Sequence, residues 1–381
     1  MKLHEFCNAA LVLALITVCA VPVRPEEIAR DPGQNAALWY WRAFDSRSES
    51  SNLNRLRDYL QSPDEADPEE QTDREAQLAR VIDDVTRAVE KPYCEFAIDY
   101  EEGLEARLPH ISLFPILSDI LQLDATRQIN NGDSEAATDR ILQLVGISNH
   151  LASEPSLIGA LVSALSLSRA LDAIEAGMDR QAFDADNLAG LRLTLETVDV
   201  SDPLGIESSL IGERRILAGW FRDRFGGGPE GYQRFCNELH PLIDASMLPL
   251  VGNANEEETG PFETGQVLQR IVKPEMLDPL LDKFDQAFVD IIAAMESGDP
   301  QAIQDVRFAI ERDANRYQDL PDKGLMLNRE LLEATETESR YGLLTALFFP
   351  NLKKVFDESQ KINNRVAKLL DRFRTDQGPN E

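Results

Sequence analysis

The chain has 381 residues and a formal net charge of −29 at neutral pH, with 67 Asp and Glu against 38 Lys and Arg. That charge sets it against nucleic acid and anionic lipid, and favours solubility, cationic partners or divalent ions. Hydrophobic residues make up 43%, enough for a sizeable core, while 7% aromatics and few β-branched runs argue against a sandwich or barrel.

Residues 1–20 read as a signal peptide. Lys2 opens it, Ala9 to Val18 is an apolar run too short to span a membrane as a mature helix, and Ala20 offers a cleavage point. Lipidation at Cys19 and a retained anchor are the alternatives; Val18 is large for the residue before a lipidated cysteine. Cleavage near Ala20 makes the protein exported, to the periplasm or beyond. It removes Lys2 and Glu5 together, so the mature net charge stays at −29. Residues 21–34 are a proline-rich tether, and residues 35–381 read as a single α-helical domain.

The first helix spans about Asn35 to Phe44, where Leu38, Trp39, Trp41 and Phe44 are expected to dock it on the domain or to form a ligand platform. A short helix follows at Leu53 to Leu60. A longer one, about Glu69 to Glu90, has Leu78, Val81, Ile82, Val85 and Val89 on one face. Lys91-Pro92 ends it. Tyr93 to Tyr100 reads as extended, and with Cys94, Phe96, Glu101, Glu102 and Glu105 it is the densest local meeting of aromatics, cysteine and carboxylates.

Leu108 to Met178 carries the strongest pattern. A helix from about Pro109 to Asn130 shows Leu113, Ile116, Leu117, Ile120, Leu121 and Leu123 at helical spacing. Asn130-Asn131-Gly132 stops it, and Asp133 or Ser134 caps the next helix. That helix ends at Glu154-Pro155, since a residue before proline avoids helix. The third, from Leu157 to Ile174, is apolar nearly all round and should be the most buried. Two antiparallel helices with a short turn and then a third is the unit of a tetratricopeptide-like hairpin array.

Downstream, weaker helices are expected at Phe183 to Thr197, from Asp202-Pro203 through Phe221, and at Tyr232 to Ile243. Gly226-Gly227-Gly228-Pro229 reads as a turn, since no Lys-Ser or Lys-Thr follows to make it a phosphate loop. The acidic stretch 252–265 is the one place where the domain would subdivide. An amphipathic helix runs from Leu277 to Met295, a return helix from Ile303 to Tyr317, and another starts at Leu325. Tyr341 to Phe349 is nearly all apolar.

The last helix, about Asn351 to Arg374, places Leu352, Val355, Ser359, Ile362, Val366, Leu369 and Phe373 on a heptad stripe, and its seven Lys and Arg outnumber three Asp and Glu. It is expected to dock on the protein's own acidic surface as a strut; a homotypic coiled coil or membrane-surface binding are the alternatives.

The chemistry-bearing motifs are sparse. His150 and Glu154, four apart on an expected helix, read as a plain helix-surface pair and no metal is expected; a shared metal with His110 as third ligand is the alternative. No H-E-x-x-H, G-x-S-x-G or paired C-x-x-C occurs, and nothing calls for a cofactor. After signal removal Cys94 and Cys236 are the two cysteines left, so an oxidising compartment offers them a disulfide if their Cα atoms lie within about 7 Å.

Cys94 with Phe96, Leu108-Pro109-His110, Gly132-Asp133 with Ala136, and Glu154-Pro155 before Leu157-Ile158, together with Asn35 to Trp41 and Arg372-Phe373-Arg374, resemble a set of uncharacterised secreted α-helical proteins of planctomycete-type bacteria. Many of those continue into a Gly-Tyr-Pro-type segment where this chain ends with Asp376-Gln377-Gly378-Pro379. The resemblance implies a fold and a compartment, and no activity. The expected fold is all-α, an irregular α-solenoid-like array of antiparallel hairpins with no substantial sheet. The expected function is a secreted or periplasmic binding or scaffolding protein with a protein or peptide partner, stacked hairpins offering broad grooves. The competing class is a hydrolase using carboxylates in an acidic cleft.

Overall fold

The computed structural model describes residues 31–44, 51–198, 201–247, 273–318 and 350–376. The signal segment 1–20, most of the tether, the stretch 252–265, the helix expected from Leu325 and the apolar run Tyr341 to Phe349 lie outside the described residues. The fold is all-α. Among the described residues the only extended pairing is an isolated parallel bridge between Asn35 and Tyr93.

Asp31 caps a short 3₁₀ turn, Pro32–Gln34, and α1 follows at Ala37–Ala43. Helices α2 (Ser51–Gln61) and α3 (Pro68–Val89) come next, α3 capped by the Asp67 carboxylate on the amides of Glu69 and Glu70. Helix α1 packs on α3, and α2 on α4 (Phe114–Asn131). In α1 the residue that goes deepest is Tyr40, fully buried, while Leu38 stays 59% exposed. The Tyr40 hydroxyl reaches His150 Nδ1 at 2.9 Å, and that bond is what lets a tyrosine enter the core. Trp41 meets Phe96 edge to face, and Trp39 lies under the guanidinium groups of Arg42 and Arg87.

The centre is the trio α4, α5 (Ser134–Leu151) and α6 (Leu157–Asp179), each packed on the other two. Helix α4 starts later than its periodicity suggests. Leu108 to Leu113 form hydrogen-bonded turns, and Pro115, not Pro109, occupies the first helical turn. Gly132 ends α4 in the left-handed conformation, φ 77°, and the Asp133 carboxylate caps α5 on the amide of Ala136. Ser156 caps α6 through the amide of Gly159. Two buried serine pairs cross the trio, Ser118 to Ser166 at 2.8 Å and Ser148 to Ser163 at 2.9 Å. Helix α6 is the one described helix long and apolar enough to cross a membrane, and it is enclosed by its neighbours.

Helix α7 (Ala185–Glu196) packs on α5. Helix α8 (Ile206–Glu213) does not start at Asp202-Pro203; the Asp202 carboxylate instead accepts from the amides of Ile206 and Glu207. It runs into a π-helical turn, Arg214–Gly219, and then α9 (Trp220–Phe225). Helix α10 is Pro229–Met247, α11 Leu277–Glu296 and α12 Pro300–Gln318. Arg214 forks onto Asp285 of α11 at 2.6 and 3.1 Å.

Helix α13 (Pro350–Asp376) lies along α6 and α7. Its stripe Leu352, Val355, Ile362, Val366, Leu369 and Phe373 is buried, and Ser359 with it. Its basic side meets the acidic side of α6: Arg365 reaches Asp172 at 2.6 Å and Glu175 at 3.2 Å, and Arg372 reaches Asp179 at 2.8 Å.

Candidate functional cleft

A cleft of about 1010 Å³ lies between residues 93–101, the turn at 153–155 and the α8–π segment. Its first wall follows from Lys91-Pro92, which ends α3; the residues that follow are irregular rather than the extended stretch expected, with a tight turn from Ile98 N–H to Phe96 O. Asn35 anchors that stretch: its side chain accepts from the Glu95 amide and donates to the Glu95 carbonyl, while Ala36 N–H donates to Tyr93 O. Asp99 then caps the 3₁₀ turn Tyr100–Glu105.

The second wall is the turn Ala152–Ser156, clamped from outside by α8. Ser208 donates to the Ala152 carbonyl and Ser209 to the Glu154 carbonyl. Gly205, at φ 63°, sits so close that a β-carbon would stand 1.9 Å from Ala152 O. A β-carbon on Gly212 would stand 2.4 Å from Pro155. The Glu213 carboxylate accepts from the Leu157 amide at 3.1 Å, at the start of α6. Burial raises the Glu213 carboxyl to about 7, and the hydrogen bond from the Leu157 amide offsets this only in part.

Glu154 is the chemical centre. It is 5% exposed, and its Oε1 accepts from the Tyr100 hydroxyl and faces His110 Nε2 at 3.3 Å. His110 is fully buried and stacks on Phe96 with ring centres 4.0 Å apart. Nδ1 of His110 is buried with no hydrogen-bond partner among the described residues. Burial first, then Glu154, pushes the Tyr100 phenol far above its usual range, so Tyr100 stays a neutral donor. Burial and Glu154 likewise push up the Cys94 thiol, which makes it a poor nucleophile. The other oxygen of Glu154, Oε2, takes no hydrogen bond from any described residue and is not sealed inside the protein; Glu154 lines the cleft.

The expected helix-surface pair of His150 with Glu154 is corrected here. Helix α5 ends at Leu151, so His150 and Glu154 do not share a helical face. His150 donates from Nε2 to the Lys91 carbonyl at 2.9 Å and accepts at Nδ1 from Tyr40, which leaves no ring nitrogen for a metal. Burial holds its pKa below the ordinary value, in keeping with a neutral ring. His110 does meet Glu154, but no group of three candidate ligands converges among the described residues. The disulfide is corrected as well. Cys94 and Cys236 are both free; Cys94 stands on the cleft wall, and Cys236 is buried on α10.

Glu95, Asp99 and Glu101 also line the cleft, with Arg215 as its basic member, 75% exposed and 3.9 Å from Glu101. Ile98, Pro155, Ile211 and Ile216 give it an apolar lining, and Ile211 is 50% exposed. The dense 93–101 stretch was visible in the sequence as a candidate. The part of α8 was not: its signal is two glycines and two serines whose spacing fits any helix. No family model, no curated protein and no solved structure matches this chain.

Proposed function

We propose that this chain is an exported, non-catalytic binding protein that holds an extended peptide segment of a partner in the cleft between residues 93–101 and α8. The observation that carries the reading is the cleft itself. At about 1010 Å³ it stands at the top of the range for ligand sites, and it combines an apolar lining with a few polar groups. One wall is backbone outside any helix, which offers main-chain donors and acceptors to a peptide. The other is locked to α8, so binding costs little ordering. Export rests on the N-terminal signal pattern and fits the resemblance to secreted helical proteins.

The test is retention of a randomised heptapeptide pool by the purified full chain, read by mass spectrometry beside the Ile211→Asp variant. Ile211 is exposed at the cleft lip, so the substitution leaves folding alone. A subset of peptides retained intact by the parent and lost by the variant is the expected result. No retention, or equal retention by the variant, overturns the reading; cut peptides would replace it with the hydrolase.

A further inference from the structure

Glu154 is an unusual group for a cleft wall. A carboxylate that is 5% exposed normally has both oxygens bonded, because an ionised group taken from water is costly unless paired. Here Oε1 carries both protein contacts, Tyr100 and His110, while Oε2 has none among the described residues. The two contacts anchor Oε1, and Oε2, which is not sealed inside the protein, is the oxygen left to meet a donor in the cleft that Glu154 lines. Position and charge are thus set in advance, and the missing element is a donor from outside.

The surroundings state what kind of donor fits. Three further carboxylates line the cleft, Glu95, Asp99 and Glu101, and its basic residue Arg215 stands largely in solvent beside Glu101. The chain as a whole carries −29, which adds a long-range pull on cations. Tyr100, Tyr93 and Phe96 line the same space, and aromatic rings suit the stem and head of a long basic side chain. A small inorganic cation fits less well, since no second and third ligand converge with Glu154.

We propose that Glu154 Oε2 is the seat for the head of a lysine or arginine side chain of the peptide that enters the cleft. The inference rests on the peptide-binding reading above and names what that peptide must carry. Oε2 takes the ammonium or guanidinium as a charge-assisted hydrogen bond, and the stem lies along the aromatic residues of the 93–101 wall. His110 and Tyr100 act as positioning residues that keep the carboxylate turned toward the cleft.

The experiment is calorimetric titration of the full chain with the capped peptide Ala-Ala-Ala-Lys-Ala-Ala-Ala, its acetyl-lysine form, and spermidine. Acetylation should weaken binding about tenfold to a hundredfold, the value of one charge-assisted hydrogen bond. Glu154→Gln should weaken the lysine peptide by a similar factor and leave the acetylated one unchanged. Because Glu154 is buried, a second variant guards against misfolding: Arg215→Glu, at an exposed site, should tighten the lysine peptide several-fold. Equal binding of the two peptides, or no response to either variant, overturns the seat. Spermidine binding more tightly than the peptide overturns the peptide as its source. A pool of retained peptides without enriched Lys or Arg would sink this inference while leaving the cleft reading intact.

Discussion

Glu213 offers the sharpest test of the energetics around the cleft. Its carboxylate ties the end of α8 to the first amide of α6, and burial lifts it from the usual 4.5 to about 7. Between those two values the folded chain holds a proton that the unfolded chain has released. The contribution of this group is therefore fully present below about 4.5 and is lost as pH rises through about 7. Above that the fold carries a buried charge at a cost of about 3 kcal/mol, from ~1.4 kcal/mol for each unit of displacement. Glu213→Gln keeps an oxygen for the Leu157 amide and removes the charge. The variant should match the parent near pH 4.5 and exceed it by about 3 kcal/mol near pH 8. Urea denaturation of both proteins across that range reads the difference directly. A difference that stays flat with pH, or a variant less stable at pH 8, would refute the argument that burial outweighs the Leu157 hydrogen bond at this site.

Two further outcomes follow from packing. Leu369→Ala opens a hole between α13 and its neighbours, where Leu369 is 2% exposed, and should cost about 2–5 kcal/mol with the mass in solution unchanged. A change from dimer to monomer, read by light scattering, would instead make α13 an intermolecular contact. Gly205→Ala forces a β-carbon onto Ala152 O in a left-handed backbone and should cost about 2 kcal/mol or more. A thermal midpoint equal to the parent's would show that α8 does not clamp the turn as described.

Local signals and long-range ones parted company along this chain. The Gly132-Asp133 junction and the long apolar helix α6 were legible because caps and periodicity act within a few residues, whereas α5 ends at Leu151, short of the Glu154-Pro155 break, and α6 keeps an acidic face. The heptad stripe of α13 was legible in the same way. The start of α4 was misplaced because two prolines six residues apart both suit a first turn, and packing chose the second. At the site, Glu154 was visible and its partner was not. A spacing of four suggested His150, but α5 ends before the pair can share a face. Tyr100, 54 positions away, has no local relation to Glu154 at all. Tyr40 was passed over for its tryptophan neighbours, since only the tertiary contact with His150 makes its burial favourable.

The serine pairs across the central trio bear on how α6 finds its place. Toward α4 and α5, helix α6 buries mostly alanine and aliphatic side chains, and hydrophobic burial alone would accept it shifted along its axis. A slip of one turn moves it about 5.4 Å and separates Ser118 from Ser166 and Ser148 from Ser163. Each hydroxyl stranded that way costs about 1–3 kcal/mol. The pairs thus work as dowels, adding little to the strength of the joint while admitting one alignment. The turn that follows α5 and opens α6 holds Glu154, so the dowels also set where its carboxylate stands.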